Sequence, residues 1–171
     1  MEKNVFIEKL LKAALEGGIE AAEVYTSDHD SFRAMSTTGE ITDYAVSSRS
    51  GLSLRGLYHG KMGYASTEAY DDDAIAMLIR AVIESAELVE DDAVQEIYHG
   101  DESYPQVDNY APSLDEVTEE QKFKLLLETE KCAMNSGDPR IKQVQRNMIS
   151  TSSSAVHIVN SYGLDLSSRD N

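Results

Sequence analysis

The chain predicts an α+β fold: a two-layer sandwich with a mostly antiparallel sheet and about three helices packed mainly on one face. Three observations carry this reading. Residues 50–68, SGLSLRGLYHGKMGYASTE, are two β-prone runs around His59-Gly60-Lys61. Leu52, Leu54 and Tyr58 fall on one face at period two, with Gly56 leaving a gap. Upstream, from Ala21, the pattern is of strands with short connections, which implies an antiparallel meander. Before, after and beyond these strands, apolar residues recur at helical spacing.

In chain order, Asn4 is placed to cap a first helix, with Phe6, Ile7, Leu10, Leu11, Ala14 and Leu15 as its stripe and Gly17-Gly18 as its stop. Residues 21–54 read as successive short strands, with turns near residues 27–31 and at Thr38-Gly39. In the hairpin that follows, Gly60 supplies the positive φ of a tight turn, and His59 tolerates one. Gly51, Gly56 and Gly63 mark strands that are either closely covered by a helix or open to an incoming chain.

A covering helix follows directly. Asp71, Asp72 and Asp73 supply negative charge to its first turn. Ile75, Leu78, Ile79, Val82, Ala86 and Val89 form its stripe. Residues 99–117 hold two of the three prolines and read as a connector, so that sub-lobes 1–98 and 113–171 are an option within one domain. Thr118 and Gln121 have capping-box spacing, and residues 113–116 offer a competing start. The third helix carries Phe123, Leu126, Leu127 and Met134 inward and stops at Gly137-Asp138-Pro139. Two strands then flank a turn expected at residues 151–153, and Tyr162-Gly163 turns into LDLSS. Val24 and Met148, Phe32 and Val156, and Gly39 and Gly163 share one offset, a faint internal echo.

With 171 residues, the chain is long enough for one well-buried domain. The formal charge is −16, and it is unevenly spread. Residues 68–120 hold seventeen acids and one basic residue, Arg80, so this third carries the whole imbalance. Such a surface repels a phosphate backbone, which argues against direct nucleic-acid binding. No apolar run is long enough to span a membrane. Cys132 is the one cysteine, so no intrachain disulfide can form, as fits a reducing, cytoplasmic setting.

The side chains offer no visible active site. His29, His59, His99 and His157 are far apart, with no ligand pair at helical spacing. The glycines of residues 51–63 match no nucleotide cradle. The acidic triplets at 71–73 and 90–92 lack the alternation of a calcium loop. Catalytic, cofactor and metal residues are therefore expected to be absent.

The run GLSLRGLYHGKMGYASTE and the helix AIAMLIRAVIESAELV resemble the N-terminal region of the TldD/PmbA family, whose members carry the older label "modulator of DNA gyrase". The Thr38-Gly39-Glu40 turn and HIVNSYG at residues 157–163 agree, the latter being similar to the family's asparagine-serine-x-glycine turn. The resemblance implies an N-terminal α/β domain followed by a larger β domain absent from this chain. It also implies pairing of TldD-type and PmbA-type (TldE-type) subunits, or homo-oligomers, into a metalloprotease acting on unfolded peptides. Zinc is then expected in the C-terminal domain of a TldD-type subunit, whose histidine-glutamate-x-x-x-histidine motif is missing here. The wording RGLYHGKMGYASTE and the acidic ELVEDD lean towards the PmbA type. The ending LDLSSRDN, in mid-strand pattern, suggests a fragment.

Two roles follow from the resemblance. One is a non-catalytic region that helps to form the chamber and guides an extended peptide, with Arg55, Tyr58 and Tyr64 as candidate peptide or partner contacts. The other is a pure subunit-assembly module with no substrate contact. Gly39, Gly60, Gly63, Asn160, Ser161 and Gly163 are candidate structural turn residues.

Overall fold

The protein is described by a computed structural model that covers residues 1–90, 93 and 95–171. Asp91 and Asp92, part of the acidic ELVEDD run and of the 90–92 triplet, lie outside the described residues. The element order is α1 (Lys3–Glu16), β1 (Ala21–Thr37), β2 (Glu40–Tyr58), β3 (Lys61–Thr67), α2 (Asp72–Glu87), α3 (Pro112–Asp115), α4 (Glu119–Met134), β4 (Asn147–Asn160) and β5 (Asp165–Asp170). The strands form one five-stranded antiparallel sheet in the order β3-β2-β1-β4-β5, an α+β fold.

The chain divides into two compact units. The first comprises Met1–Asp28, Ser50–Val107 and Ala155–Ser168, and the second His29–Arg49, Asp108–Ser154 and Arg169–Asn171. They are interleaved along the chain rather than being the sequential lobes 1–98 and 113–171.

In the first unit, Phe6, Leu10 and Ala14 of α1 and Leu78 and Val82 of α2 meet Ala22, Val24, Leu52 and Leu54 of β1 and β2 in one core. Helix α1 starts earlier than its sequence suggests. Asn4 lies inside it, and Glu2 occupies the N-cap without a side-chain hydrogen bond. Its end is as written: Ile19 N–H donates to Ala14 O at 3.1 Å and Gly18 N–H to Leu15 O at 3.1 Å, with Gly18 at φ 92°. That pair of hydrogen bonds and a left-handed glycine are the Schellman closure. Asp71 caps α2 by accepting from Ala74 N–H at 2.8 Å.

In the second unit, Phe32 and Ala34 of β1 and Leu126 of α4 form a smaller core, flanked by Ile41, Phe123 and Ile149. Thr118 and Gln121 complete the capping box of α4: Gln121 N–H donates to Thr118 Oγ1 at 3.2 Å, and Thr118 N–H to Gln121 Oε1 at 2.8 Å. The competing start at 113–116 is the separate short helix α3.

Two expected turns are absent. Residues 27–31 lie inside β1, and residues 151–153 inside β4. Both runs are taken up into long strands of the sheet, whose ladder bonding competes with the local bonds that polar side chains would otherwise make. The polar run at 27–31 instead straddles Asp28 and His29, where the chain passes from one unit to the other. The apolar run from Ile141 to Val144 is not strand either; β4 begins at Asn147. Among the described residues, no helix is long and apolar enough to cross a membrane.

Candidate functional site

Strands β2 and β3 pair from Leu52↔Thr67 to Tyr58↔Lys61 around a two-residue turn. His59 at φ 50° and Gly60 at φ 74° give that turn the twist a hairpin favours, as Thr38 at φ 55° and Gly39 at φ 79° do between β1 and β2. The register sorts the hairpin into two faces. Leu52 and Leu54 meet α1 and α2, and the Gly56↔Gly63 pair lies against Val82 of α2. The intervening pairs, Ser53↔Ser66, Arg55↔Tyr64 and Leu57↔Met62, face the other way. Gly63 is therefore not a turn residue: it lies inside β3, where the helix backbone leaves no room for a side chain.

Arg55 and Tyr64 are thus direct cross-strand neighbours. Arg55 Nη2 stands 2.8 Å from Glu23 Oε1, and that carboxylate is nearly buried. Arg55 Nε is enclosed without a hydrogen-bond partner among the described residues. Tyr64 is exposed over 59% of its surface. Along the same strands a cavity of about 440 Å³ is lined by Tyr25, Ser27, Gly51, Ser53, Ser66 and Glu68. The result is a guanidinium paired with a nearly buried acid and set against an exposed tyrosine, with hydroxyls farther along the same strands. Tyr58 is not part of it; its ring stacks on His59, centroids 4.1 Å apart, at the hairpin tip.

The outer edge of β3 is occupied. Met62 N–H donates to Gln95 Oε1 at 3.0 Å and Tyr64 N–H to Ser85 Oγ at 3.3 Å, while the Lys61 ammonium donates to the Val89 carbonyl. The glycine-rich hairpin is accordingly covered by α2, not open to an incoming strand on that side.

The asparagine-serine turn has its own logic. Asn160 is buried, accepts from Tyr162 N–H at 3.0 Å and Leu164 N–H at 3.1 Å, and donates to Tyr98 O at 2.7 Å. Ser161 N–H donates to Ala22 O at 2.8 Å, and Ser161 Oγ accepts from Ala22 N–H at 3.1 Å. Gly163 closes the turn at φ 94°.

Sequence reasoning missed two buried acids. Glu130 Oε2 accepts from Ser36 Oγ at 2.6 Å, and Glu130 Oε1 from Gly39 N–H at 3.0 Å. Its position, three and four residues after Leu127 and Leu126, puts it on the inward stripe of α4, a signal that periodicity contains. Glu23 sits between the inward-facing Ala22 and Val24, where alternation puts it on the opposite face.

Perturbed ionisation is sparse. Asp28, bonded to Lys3 Nζ at 2.6 Å, is opposed by burial, but its hydrogen bonds with Lys3 and Ser50 and the Lys3 charge hold it below the usual carboxylate range. The exposed Tyr98 hydroxyl is raised above the phenol range, first by hydrogen bonding with Asp101 and then with Tyr104. Among the described residues, no group of three or more His, Cys, Asp or Glu side chains could hold a metal ion. His157 Nε2 pairs with Asp165 Oδ1 at 2.7 Å, and His99 stacks on Tyr162.

Comparison with known proteins bears on the family and the fold. A family profile described as "PmbA/TldA metallopeptidase domain 1" matches residues 22–86, and one described as "PmbA/TldA metallopeptidase central domain" matches residues 112–171. No curated protein matches the chain significantly. Among solved structures, a Thermotoga maritima protein provisionally labelled a modulator of a DNA gyrase superposes with TM-score 0.87 at 16% identity, over 99% of this chain and 37% of its own. A Bacteroides thetaiotaomicron protein with the same provisional label gives 0.79 at 18%, over 97% and 38%. TldE from Thermococcus kodakarensis gives 0.78 at 18%, over 96% and 37%. The chain thus spans well under half the length of the structures it matches.

Proposed function

The chain belongs to the TldD/PmbA family, and on that premise we propose that it is the non-catalytic N-terminal region of a TldD/PmbA-type metalloprotease subunit. In this reading it helps to form the chamber and guides an extended peptide towards proteolysis by a TldD-type, zinc-bearing partner in the cytoplasm. Of the two subunit types, the wording RGLYHGKMGYASTE and the acidic ELVEDD favour the PmbA type.

The observation that carries the reading is the Glu23–Arg55 pair beside Tyr64. A guanidinium fixed by a buried carboxylate loses little conformational freedom when it binds a backbone carbonyl or a carboxylate. Exposed tyrosines beside it supply sequence-tolerant contact area. Such a surface holds a chain without reading it closely, as unfolded peptides require.

Tyr64→Ala in the full-length complex tests this most cleanly, because its side chain is exposed and supports no core. A rise in KM for peptide cleavage, with subunit association unchanged, is expected. Unchanged cleavage with Tyr64→Ala and Arg55→Lys alike would leave subunit assembly as the role of the domain.

A further inference from the structure

We propose that the edge of β2 over residues 40–49, in the second unit, is an acceptor for an extended peptide carrying a basic side chain. The proposal rests on the peptide-guiding reading above and names a second place where the peptide is held. Strand β3 covers β2 from Leu52 to Tyr58, so residues 40–49 have β1 on one side and no strand on the other among the described residues. Among the described residues, no turn or loop bond reaches the backbone of residues 41–49. The contrast with β3 is direct, since that edge is closed by Gln95 and Ser85.

Exposed edges are normally guarded by proline, lysine or a covering segment. The run EITDYAVSSR has neither proline nor lysine; its charges Glu40 and Arg49 stand at its two ends, and its one carboxylate in mid-strand, Asp43, is turned to Arg33 at 3.5 Å. Tyr44 and Val46 are exposed over 60% and 61% of their surfaces. A strand of this length, roughly 33 Å at ~3.3 Å per residue, offers alternating donors and acceptors to any extended chain.

The choice of a basic side chain comes from a neighbouring cavity of about 220 Å³ that includes Ser47 and Ser48 of this same strand. Asp30, Asp115 and Glu119 line it against a single ammonium, that of Lys122. Lys122 is itself committed, donating to Thr151 Oγ1 at 3.0 Å and lying 4.9 Å from the Phe32 ring centre. The surplus of carboxylates and the ring of serine hydroxyls suit an incoming ammonium or guanidinium. A lysine or arginine on the added strand, about 4.8 Å out from β2, spans that gap with its aliphatic stem.

The test uses the full chain and a fluorescein-labelled peptide of alternating Thr and Lys, about ten residues long. Its partner is the same peptide N-methylated at alternate residues, which keeps the charge and removes the backbone donors. Anisotropy is expected to show binding that weakens at least about tenfold on N-methylation, on Val46→Lys, and on Thr-Glu replacement of Thr-Lys. Amide exchange of residues 41–49 is expected to slow with the first peptide alone. Equal binding of both peptides, with Val46→Lys silent while Tyr64→Ala weakens binding, would overturn this site and leave the guiding role standing. No binding of any peptide would overturn both. Concentration-dependent dimers broken by Val46→Lys but not by peptide would overturn it in favour of a second copy on the edge.

Discussion

Gly63 of β3 lies so close beneath Val82 of α2 that a Cβ on it would stand 2.8 Å from the Val82 carbonyl carbon and 3.0 Å from the Ala86 nitrogen. Neither neighbour is a flexible side-chain end, so the helix itself must move. Gly63→Ala is therefore expected to lose about 3 kcal/mol, the upper end of ordinary overpacking, by urea denaturation. Gly51→Ala, with open space around it, is expected to stay within about 0.5 kcal/mol of the parent. Equal effects of the two would mean that α2 does not rest on the hairpin as described.

Glu130 joins the Thr38-Gly39 turn to α4 through Ser36 and the Gly39 amide. Truncation leaves a buried hydroxyl and an amide without their acceptor. Glu130→Ala is expected to cost about 2–3 kcal/mol and Glu130→Gln less, since one acceptor survives. The exposed Glu128→Ala is the control, and a Glu130 variant as mild as it would remove the latch from the account.

Asn160 holds the turn between β4 and β5 by serving two backbone amides and one carbonyl at once. Asn160→Ala is expected to destabilise by about 2–3 kcal/mol and to speed amide exchange at Tyr162 and Leu164. Unchanged exchange at those amides would contradict the assignment.

The Lys3–Asp28 bond gives a pH dependence with a defined sign. Because the folded Asp28 carboxyl is held below its ordinary value of 3.8, its contribution is present above that pH and fades as pH falls through the lowered folded value. Asp28→Asn is expected to be less stable than the parent at about pH 7, with the gap closing towards about pH 2. A constant gap across that range would show that the side chain acts through packing alone.

Features that depend on a few adjacent residues were legible. The Thr118–Gln121 box and both two-residue turns are local bargains between a side chain or a glycine and its own backbone, whereas Asp71, expected as charge in the first turn of α2, is instead its N-cap. Strand lengths were not. Residues 27–31 and 151–153 carry turn chemistry but are taken up into long strands, and nothing in those residues announces the neighbouring strands. The candidate site divided the same way. The register that sets Arg55 against Tyr64 follows from the His59-Gly60 turn, whereas Glu23 joins them from a distant strand. The open β2 edge was invisible because it is defined by what β3 fails to reach.

If this domain guides substrate, it touches the peptide being processed. A photoreactive phenylalanine in place of Tyr64, in the assembled protease during turnover, tests it directly. Crosslinks to the peptide, competed away by unlabelled peptide, are expected. Crosslinks confined to the partner subunit, with the peptide unmarked, would contradict it.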